Sequence, residues 1–346
     1  MWRAEMMSAK LSTKRKNREY DIDEFIRKFD KAPKFGTTSQ ANVTKKIEEY
    51  ILKRISRPAP IIDARQTKYD RICREHFENE IKIAKEAEHG NIIQFIATKV
   101  TDSYGYILQE LGTPSYDWPH HTNLRDTKFC DRFEISISDI FCAVTHDFSR
   151  GLQYLHSLNF IAADVKLKNS VIFNVGPGLQ FKLIDFGRAT NMSDTIGMAH
   201  PFVPPECIIK NPILNITEFT DKDRLVGNRK MDEFVLGCVL LDILMWTHHN
   251  REFSYALSYY YETDKDNFCK LKLRSIPSTN VPWLNALIST LPSQRLSMEE
   301  LSKIPKETLK HDFKQLTNLP FSKDYDHFKF REDTSLICMR PLSDAY

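Results

Sequence analysis

The chain has 346 residues, 41% of them hydrophobic and 27% charged, proportions of an ordinary globular protein with more material than one typical domain needs. A formal net charge of +3 is too small to argue for a nucleic-acid or membrane-surface partner. Seven cysteines without a CxxC pair, no run of about 18 apolar residues and a polar, basic start point to reduced thiols in an intracellular protein, cytoplasmic or nuclear.

Taken in order, residues 1–29 read as a polar basic arm. Its run Lys14-Arg15-Lys16-Asn17-Arg18 suits either a solvated flexible stretch or a nuclear import signal. From Phe35 the text becomes β-like: Gly36 opens a polar turn, Val43 follows, and Tyr50-Ile51-Leu52-Lys53 reads as a strand ending in a lysine. Residues 54–68, with Pro58 and Pro60, make a long connection. A helix is expected over Tyr69–Glu88, with Phe77, Ile81 and Ala84 near one face and Glu80 among many charges. Tyr106–Leu111 reads as a strand. Residues 113–136 are polar and aromatic without a defined pattern. In Ile137–Leu158, the residues Ile140, Val144, Phe148, Leu152 and Leu155 recur at helical spacing and belong to a core.

Residues 153–187 carry the chemistry. A tight loop presents Asp164, Lys166 and Asn169. Two short β-rich runs follow, Ser170–Phe173 and Gln180–Ile184, joined by the turn Val175-Gly176-Pro177-Gly178, and the second delivers Asp185-Phe186-Gly187. A loop carboxylate with a Lys two residues on and an Asn five on can orient a hydroxyl, hold a phosphate and ligate a hard cation. A second carboxylate at the end of a hairpin can bind the same cation. Beyond it lie Pro204-Pro205-Glu206, an Asn/Thr/Asp-rich stretch over 207–231 that reads as a surface loop, and the apolar run Phe234–Trp246. That run is too short for a bilayer and reads as a buried helix.

The D-x-K-x-x-N loop followed across a hairpin by D-F-G resembles the catalytic loop and metal-binding turn of the eukaryotic protein kinases. The surrounding motifs resemble that family in the same order. Gly36, Thr38, Ala41 and Val43 stand at the positions of its G-x-G-x-x-G-x-V loop, Lys53 at its strand lysine and Glu80 at its helix glutamate. His89-Gly90-Asn91-Ile92 is similar to H-P-N-I, Pro204-Pro205-Glu206 to A-P-E, the helix from Asp232 to D-x-W-S-L-G-C, and Arg295-Leu296-Ser297-Met298-Glu299-Glu300-Leu301 to R-x-S/T-x-x-E-L.

The resemblance implies an α+β, two-lobed protein-kinase-like fold. A small β-rich N-lobe would span 30–111 and a larger, mainly helical C-lobe 112–310, with an extension over 311–346. It implies ATP and Mg²⁺ as cofactors and a protein substrate, without a membrane or nucleic-acid partner, and fixes no oligomeric state. Asp164 would act as the catalytic carboxylate and Lys166 would steady the γ-phosphate, a lysine of the serine/threonine type. Asn169 and Asp185 would hold the metal. Gly36, Val43, Lys53, Glu80 and the backbone of Glu110 and Leu111 would bind nucleotide, while Gly112 lets the lobes flex. Asp232 would hold the catalytic loop from beneath, and Glu206 would pair with Arg295.

The departures are Thr38 and Ala41 for glycines, Ile51 for a small residue against the base, and Ala162-Ala163 for the H-R before the catalytic Asp. They suit a divergent or viral member. They leave a pseudokinase scaffold as the alternative, and a small-molecule phosphotransferase as a third reading.

Overall fold

Alternation along Tyr50-Ile51-Leu52-Lys53-Arg54-Ile55 gives one strand two covered faces, and the small lobe is built around it. The structure is a computed structural model that describes residues 21–34, 42–58, 68–117, 122–123, 135–175, 178–192, 204, 209–210, 217–218, 228–245, 261–263, 271–273, 281–289 and 291–317. Helix α1 (Ile22–Phe29) comes first, then β1 (Asn42–Ile47), β2 (Tyr50–Ser56), α2 (Lys68–Glu86), β3 (Phe95–Val100) and β4 (Tyr104–Glu110). The four strands form an antiparallel sheet in the order β1-β2-β4-β3, with Lys53 opposite Ile107.

Tyr50 and Leu52 of β2, with Tyr106 and Leu108 of β4, pack against Phe25 and Phe29 of α1. Ile55 and Ile107, on the other face, pack against Phe77, Ile81 and Ala84 of α2. Helix α1 lies inside the stretch read as a polar arm. It is held because Phe25 and Phe29, four residues apart, share one buried face, each worth about 1.5–3 kcal/mol of apolar burial. Asp21 caps its start by accepting from the Asp23 amide at 2.9 Å. The Arg54 guanidinium lies 4.7 Å from the ring centroids of both Phe29 and Tyr104.

Strand β5 (Thr113–Pro114) leaves the sheet and pairs with a hairpin of the large lobe; the short β6 (Tyr116–Asp117) and β7 (Thr122–Asn123) pair with each other. Helix α3 (Ile137–Ser157) opens on a capping box in which Ser136 and Asp139 satisfy each other's amides. Then come β8 (Phe160–Ile161), a 3₁₀ turn (Leu167–Asn169), β9 (Ser170–Val175), β10 (Gly178–Leu183) and β11 (Thr190–Asn191). Three strands pair as β10-β9-β5, and β11 pairs with β8. Helices α4 (Arg229–Met245), α5 (Pro282–Leu287), α6 (Met298–Ser302) and α7 (Lys306–Thr317) complete the described part of the lobe. Its core gathers Phe141, Phe148, Phe160, Phe181 and Phe234, all fully buried.

The architecture is the expected α+β, two-lobed one: a sheet with helices on its faces, then a helical lobe. Phe313 and Leu316 of α7 are buried in the large-lobe core, so the stretch read as an extension from 311 begins inside a packed helix. Residues 209–210 and 217–218, in the stretch read as a surface loop, pair as a short antiparallel hairpin. Among the described residues, no helix is long and apolar enough to cross a membrane.

Gly112 sits where β4 gives way to β5. A Cβ there would lie 2.7 Å from Val171 Cβ and 2.8 Å from its Cγ2. Close approach to β9 is thus one demand that this position makes of its residue.

Candidate active site

The loop between β8 and the 3₁₀ turn is fixed from below, where Asp232 of α4 is 0% exposed. Its carboxylate accepts from the Ala162 amide at 2.8 Å and the Ala163 amide at 3.0 Å, and His156 Nε2 lies 2.9 Å from the same group. This is the expected grip on the loop backbone. It holds Ala163 at φ 57°, a left-handed conformation that a residue with a Cβ adopts only at a cost of about 1–2 kcal/mol. Just beyond, the ammonium of Lys166 donates to both carboxylate oxygens of Asp164, at 2.8 and 2.7 Å. The Asn169 side-chain amide donates to the Asp164 carbonyl at 3.0 Å and to its carboxylate at 2.9 Å. Asp164, Lys166 and Asn169 therefore form one hydrogen-bonded group.

A second group joins the lobes. Lys53 donates to Glu80 of α2 and, at 2.8 Å, to Asp185. Lys53 and Glu80 are buried, whereas the Asp185 side chain keeps 49% of its surface open. Burial works against the Lys53 ammonium, but Asp185 and Glu80 together hold its pKa above the ordinary value. Burial pushes the Glu80 carboxyl up while Lys53 pulls it back. Lys53 draws the Asp185 carboxyl below the ordinary range; the amide of Ile184, the residue before Asp185, donates to the Asn169 carbonyl at 3.0 Å, which places the two groups side by side. A Cβ on Gly187 would sit 3.2 Å from Glu80 Oε2, so the glycine is what lets the turn reach α2. Asp185 itself lies at φ 60°, a second left-handed residue in the site. Phe186 is buried, edge-on to Phe95 with centroids 6.2 Å apart, in the core beside which Ala162 packs.

Six predicted residues thus come together: Lys53, Glu80, Asp164, Lys166, Asn169 and Asp185. Glu110 commits its amide and its carboxylate to neighbours. Its amide donates to Gln94 O at 3.0 Å, and its carboxylate accepts from the Gln94 amide at 2.8 Å and from Lys182 at 2.6 Å. The residue ties the strand leaving the small lobe to β10, and its N–H is already committed. Leu111 follows it, half-buried, just before Gly112. Val43 lies on β1, half-buried beside the α1 cluster. Gly36, Thr38 and Ala41 lie outside the described residues, as do Glu206, Ser193 and Thr195. Arg295 is buried, donates to Ser289 O and Lys230 O at 2.8 Å each, and lies over the Phe234 ring.

Two features carry no sequence signal. Thr190, an apparent phosphate acceptor, is 5% exposed in the β8–β11 pair and donates to Arg188 O at 3.1 Å. Ser115, in the stretch without a defined pattern, is buried against the catalytic loop.

Comparison with known proteins agrees with this geometry. Residues 33–312 match the model of the protein kinase domain. The serine/threonine-protein kinase A-Raf of Mus musculus is 26% identical over 169 residues, 49% of this chain and 25% of that protein. The probable serine/threonine-protein kinase fhkD of Dictyostelium discoideum is 30% identical over 195 residues, 53% of this chain and 24% of that protein. The human serine/threonine-protein kinase H1 is 25% identical over 158 residues, 43% of this chain and 35% of that protein. The chain thus spans between 24% and 35% of the length of these relatives. A domain match over most of the chain, on a two-lobed fold with its charged residues gathered between the lobes, makes this chain a member of the protein kinase family.

Proposed function

We propose that the chain is an active serine/threonine protein kinase, transferring the γ-phosphate of ATP to a protein hydroxyl. The observation that carries this reading is the gathering of Glu80, Lys53 and Asp185 beside Asp164, Lys166 and Asn169. Phosphoryl transfer asks little covalent chemistry of the protein; it asks for positioned charge. Asp164 accepts the proton of the substrate hydroxyl as its oxygen bonds to the γ-phosphorus. The bond to the bridging oxygen breaks, and ADP leaves. Lys166, tethered to Asp164, lies within reach of the charge that shifts onto the transferring group. Lys53, kept cationic by Glu80 and Asp185, holds the other phosphates, and Leu111 offers its backbone to the base.

The donor set fits a hard cation. The half-open carboxylate of Asp185 and the amide oxygen of Asn169, whose nitrogen is turned toward Asp164, are oxygen ligands of the kind Mg²⁺ takes. Mg²⁺ held there neutralises phosphate charge. The proposed kinase unit is residues 30–310, supported by the domain match and extended in effect by the packing of α1 and α7.

Incubation with γ-labelled ATP and a generic basic protein, followed by phosphoamino-acid analysis, tests the reading. Phosphoserine or phosphothreonine is expected. Nucleotide binding without any transfer would favour the scaffold alternative, which the replaced glycines at Thr38 and Ala41 and the missing H-R motivate.

A further inference from the structure

Asp164, Lys166 and Asn169 must hold their places to within a fraction of an ångström, yet the backbone between Lys166 and Ser170 is a single 3₁₀ turn, a weak element by itself. Asp232 grips the loop only at its start, through the amides of Ala162 and Ala163. The far end is fixed from another direction. Ser115, 1% exposed, places its hydroxyl oxygen against the carbonyl of Leu167 and 3.0 Å from the carbonyl of Ser170. The Ser170 hydroxyl, 0% exposed, lies 2.9 Å from Ser115 Oγ and 2.7 Å from Leu167 O. The Ser115 amide also donates to Ser170 O at 3.2 Å.

Each hydroxyl has one proton. If Ser170 donated to Leu167 O and Ser115 to Ser170 O, the two hydroxyl oxygens would face each other at 2.9 Å with no proton between them. A chain that avoids this runs from Ser170 Oγ–H to Ser115 Oγ and on from Ser115 Oγ–H to Leu167 O, with the Ser115 hydroxyl as its middle member. Ser115 is then both acceptor and donor in a chain shut off from water.

Ser115 also stands directly after β5, whose Thr113 and Pro114 pair with Ile172 and Val171 of β9. That strand begins three residues after Glu110 ends β4. The serine therefore links the segment leaving the small lobe to the turn that carries Asn169 and follows Lys166.

We propose that Ser115 is a positioning residue for phosphoryl transfer. It relays a hydrogen bond from Ser170 to the Leu167 carbonyl, and so sets Lys166 and Asn169 relative to the nucleotide end of the cleft. The proposal deepens the kinase reading and rests on it for its kinetic arm. Removing the hydroxyl leaves the Ser170 proton and the Leu167 carbonyl without their middle partner. Loss of one buried hydrogen-bond partner of this kind translates into roughly tenfold in rate if the strain falls on the loop.

The test compares the full-length wild type with Ser115→Ala, Ser115→Thr and Ser115→Cys in two assays. In the first, transfer is followed while Mg²⁺ is titrated. Ser115→Ala is expected to lower kcat roughly tenfold and to raise the half-saturating Mg²⁺ concentration severalfold, with KM for the protein substrate unchanged and Ser115→Thr restoring most of the loss. In the second, amide hydrogen exchange is read without nucleotide. Asn169 and Ser170 should exchange roughly tenfold faster in Ser115→Ala, while Ala162 and Ala163, held by Asp232, keep their wild-type protection. A lower melting temperature with unchanged kcat, Mg²⁺ dependence and exchange at residues 167–170 would overturn the proposal, leaving the serine as packing alone. If Ser115→Ala fails to fold, the isosteric Ser115→Cys, a weaker donor, should show the same pattern at smaller amplitude; wild-type behaviour in it would equally overturn the proposal. A wild type that transfers no phosphate would defeat the kinase reading, and the exchange assay would still decide whether Ser115 orders the turn.

Discussion

Replacing Asp232 by Ala removes a carboxylate shared by the amides of Ala162 and Ala163 and the ring of His156. Each buried donor left without its acceptor costs about 1–3 kcal/mol. The three losses overlap, because one relaxation of the loop serves both amides. The expected destabilisation is therefore about 3–5 kcal/mol, the usual size for removing one member of a buried charged cluster. That is a large part of the 5–15 kcal/mol typical of a domain. Asp232→Asn, which keeps one oxygen for three donors, should lose about half as much. Urea unfolding followed by tryptophan fluorescence measures this as a lower midpoint at unchanged slope. Transfer at a temperature where both proteins are folded measures the second consequence, a drop in rate, because the loop start loses its anchor and Ala163 its reason to stay left-handed. A destabilisation below 1 kcal/mol with an unchanged rate would refute the view that this carboxylate holds the loop.

Gly112→Ala should cost about 1–3 kcal/mol by overpacking against Val171, read as a lower melting temperature; an unchanged value would mean that the backbone yields there. Burial pushes the Glu233 carboxyl up from 4.5 to about 7, against the pull of Lys230. With the folded pKa above the unfolded one, its contribution to stability is complete below about pH 4.5 and lost as pH rises through about 7. Glu233→Gln should remove roughly 3 kcal/mol of that fall. Some pH dependence should persist from Asp147, whose carboxyl burial raises to about 6; stability curves parallel to wild type would contradict the assignment. The triple change Thr190→Ala/Ser193→Ala/Thr195→Ala should leave transfer within about tenfold of wild type, since Thr190 is buried and Ala163 offers no cation for a phosphate. A larger loss, matched by phosphatase-treated wild type, would show a phosphate switch.

What could be read in the sequence was what order and spacing constrain. The separation of 27 positions from Lys53 to Glu80 carries no contact information by itself. A strand lysine followed by a helix glutamate becomes a pair only when the later D-x-K-x-x-N and D-F-G signals set the register. Asp232 was legible for the same reason, as a carboxylate in the first turn of an apolar helix with a place in that order. Helix α1 was not, because two phenylalanines in an eight-residue segment give too short a periodic signal beside a basic run. Spacing placed Glu110 on a strand but could not say that its amide is spent on a neighbour, Gln94. The burial of Thr190 was not legible because it depends on pairing with Ile161, in a two-residue bridge that no local pattern announces. Ser115 was silent because a buried serine and a turn serine look alike until the carbonyls of Leu167 and Ser170 are seen around it.

The claim that the assembled charges perform phosphoryl transfer is tested most directly by the rate of labelled γ-phosphate transfer to a basic protein, measured for wild type beside Asp164→Asn. The variant keeps the size of the side chain and removes the charge held by Lys166 and Asn169, so it should melt within a few degrees of wild type. Its transfer rate should fall on the order of a hundredfold or more, the usual consequence of losing one preorganised charged group. Equal rates in the two proteins would contradict the assignment of Asp164 as the group that receives the hydroxyl proton, and with it the kinase chemistry built around that residue.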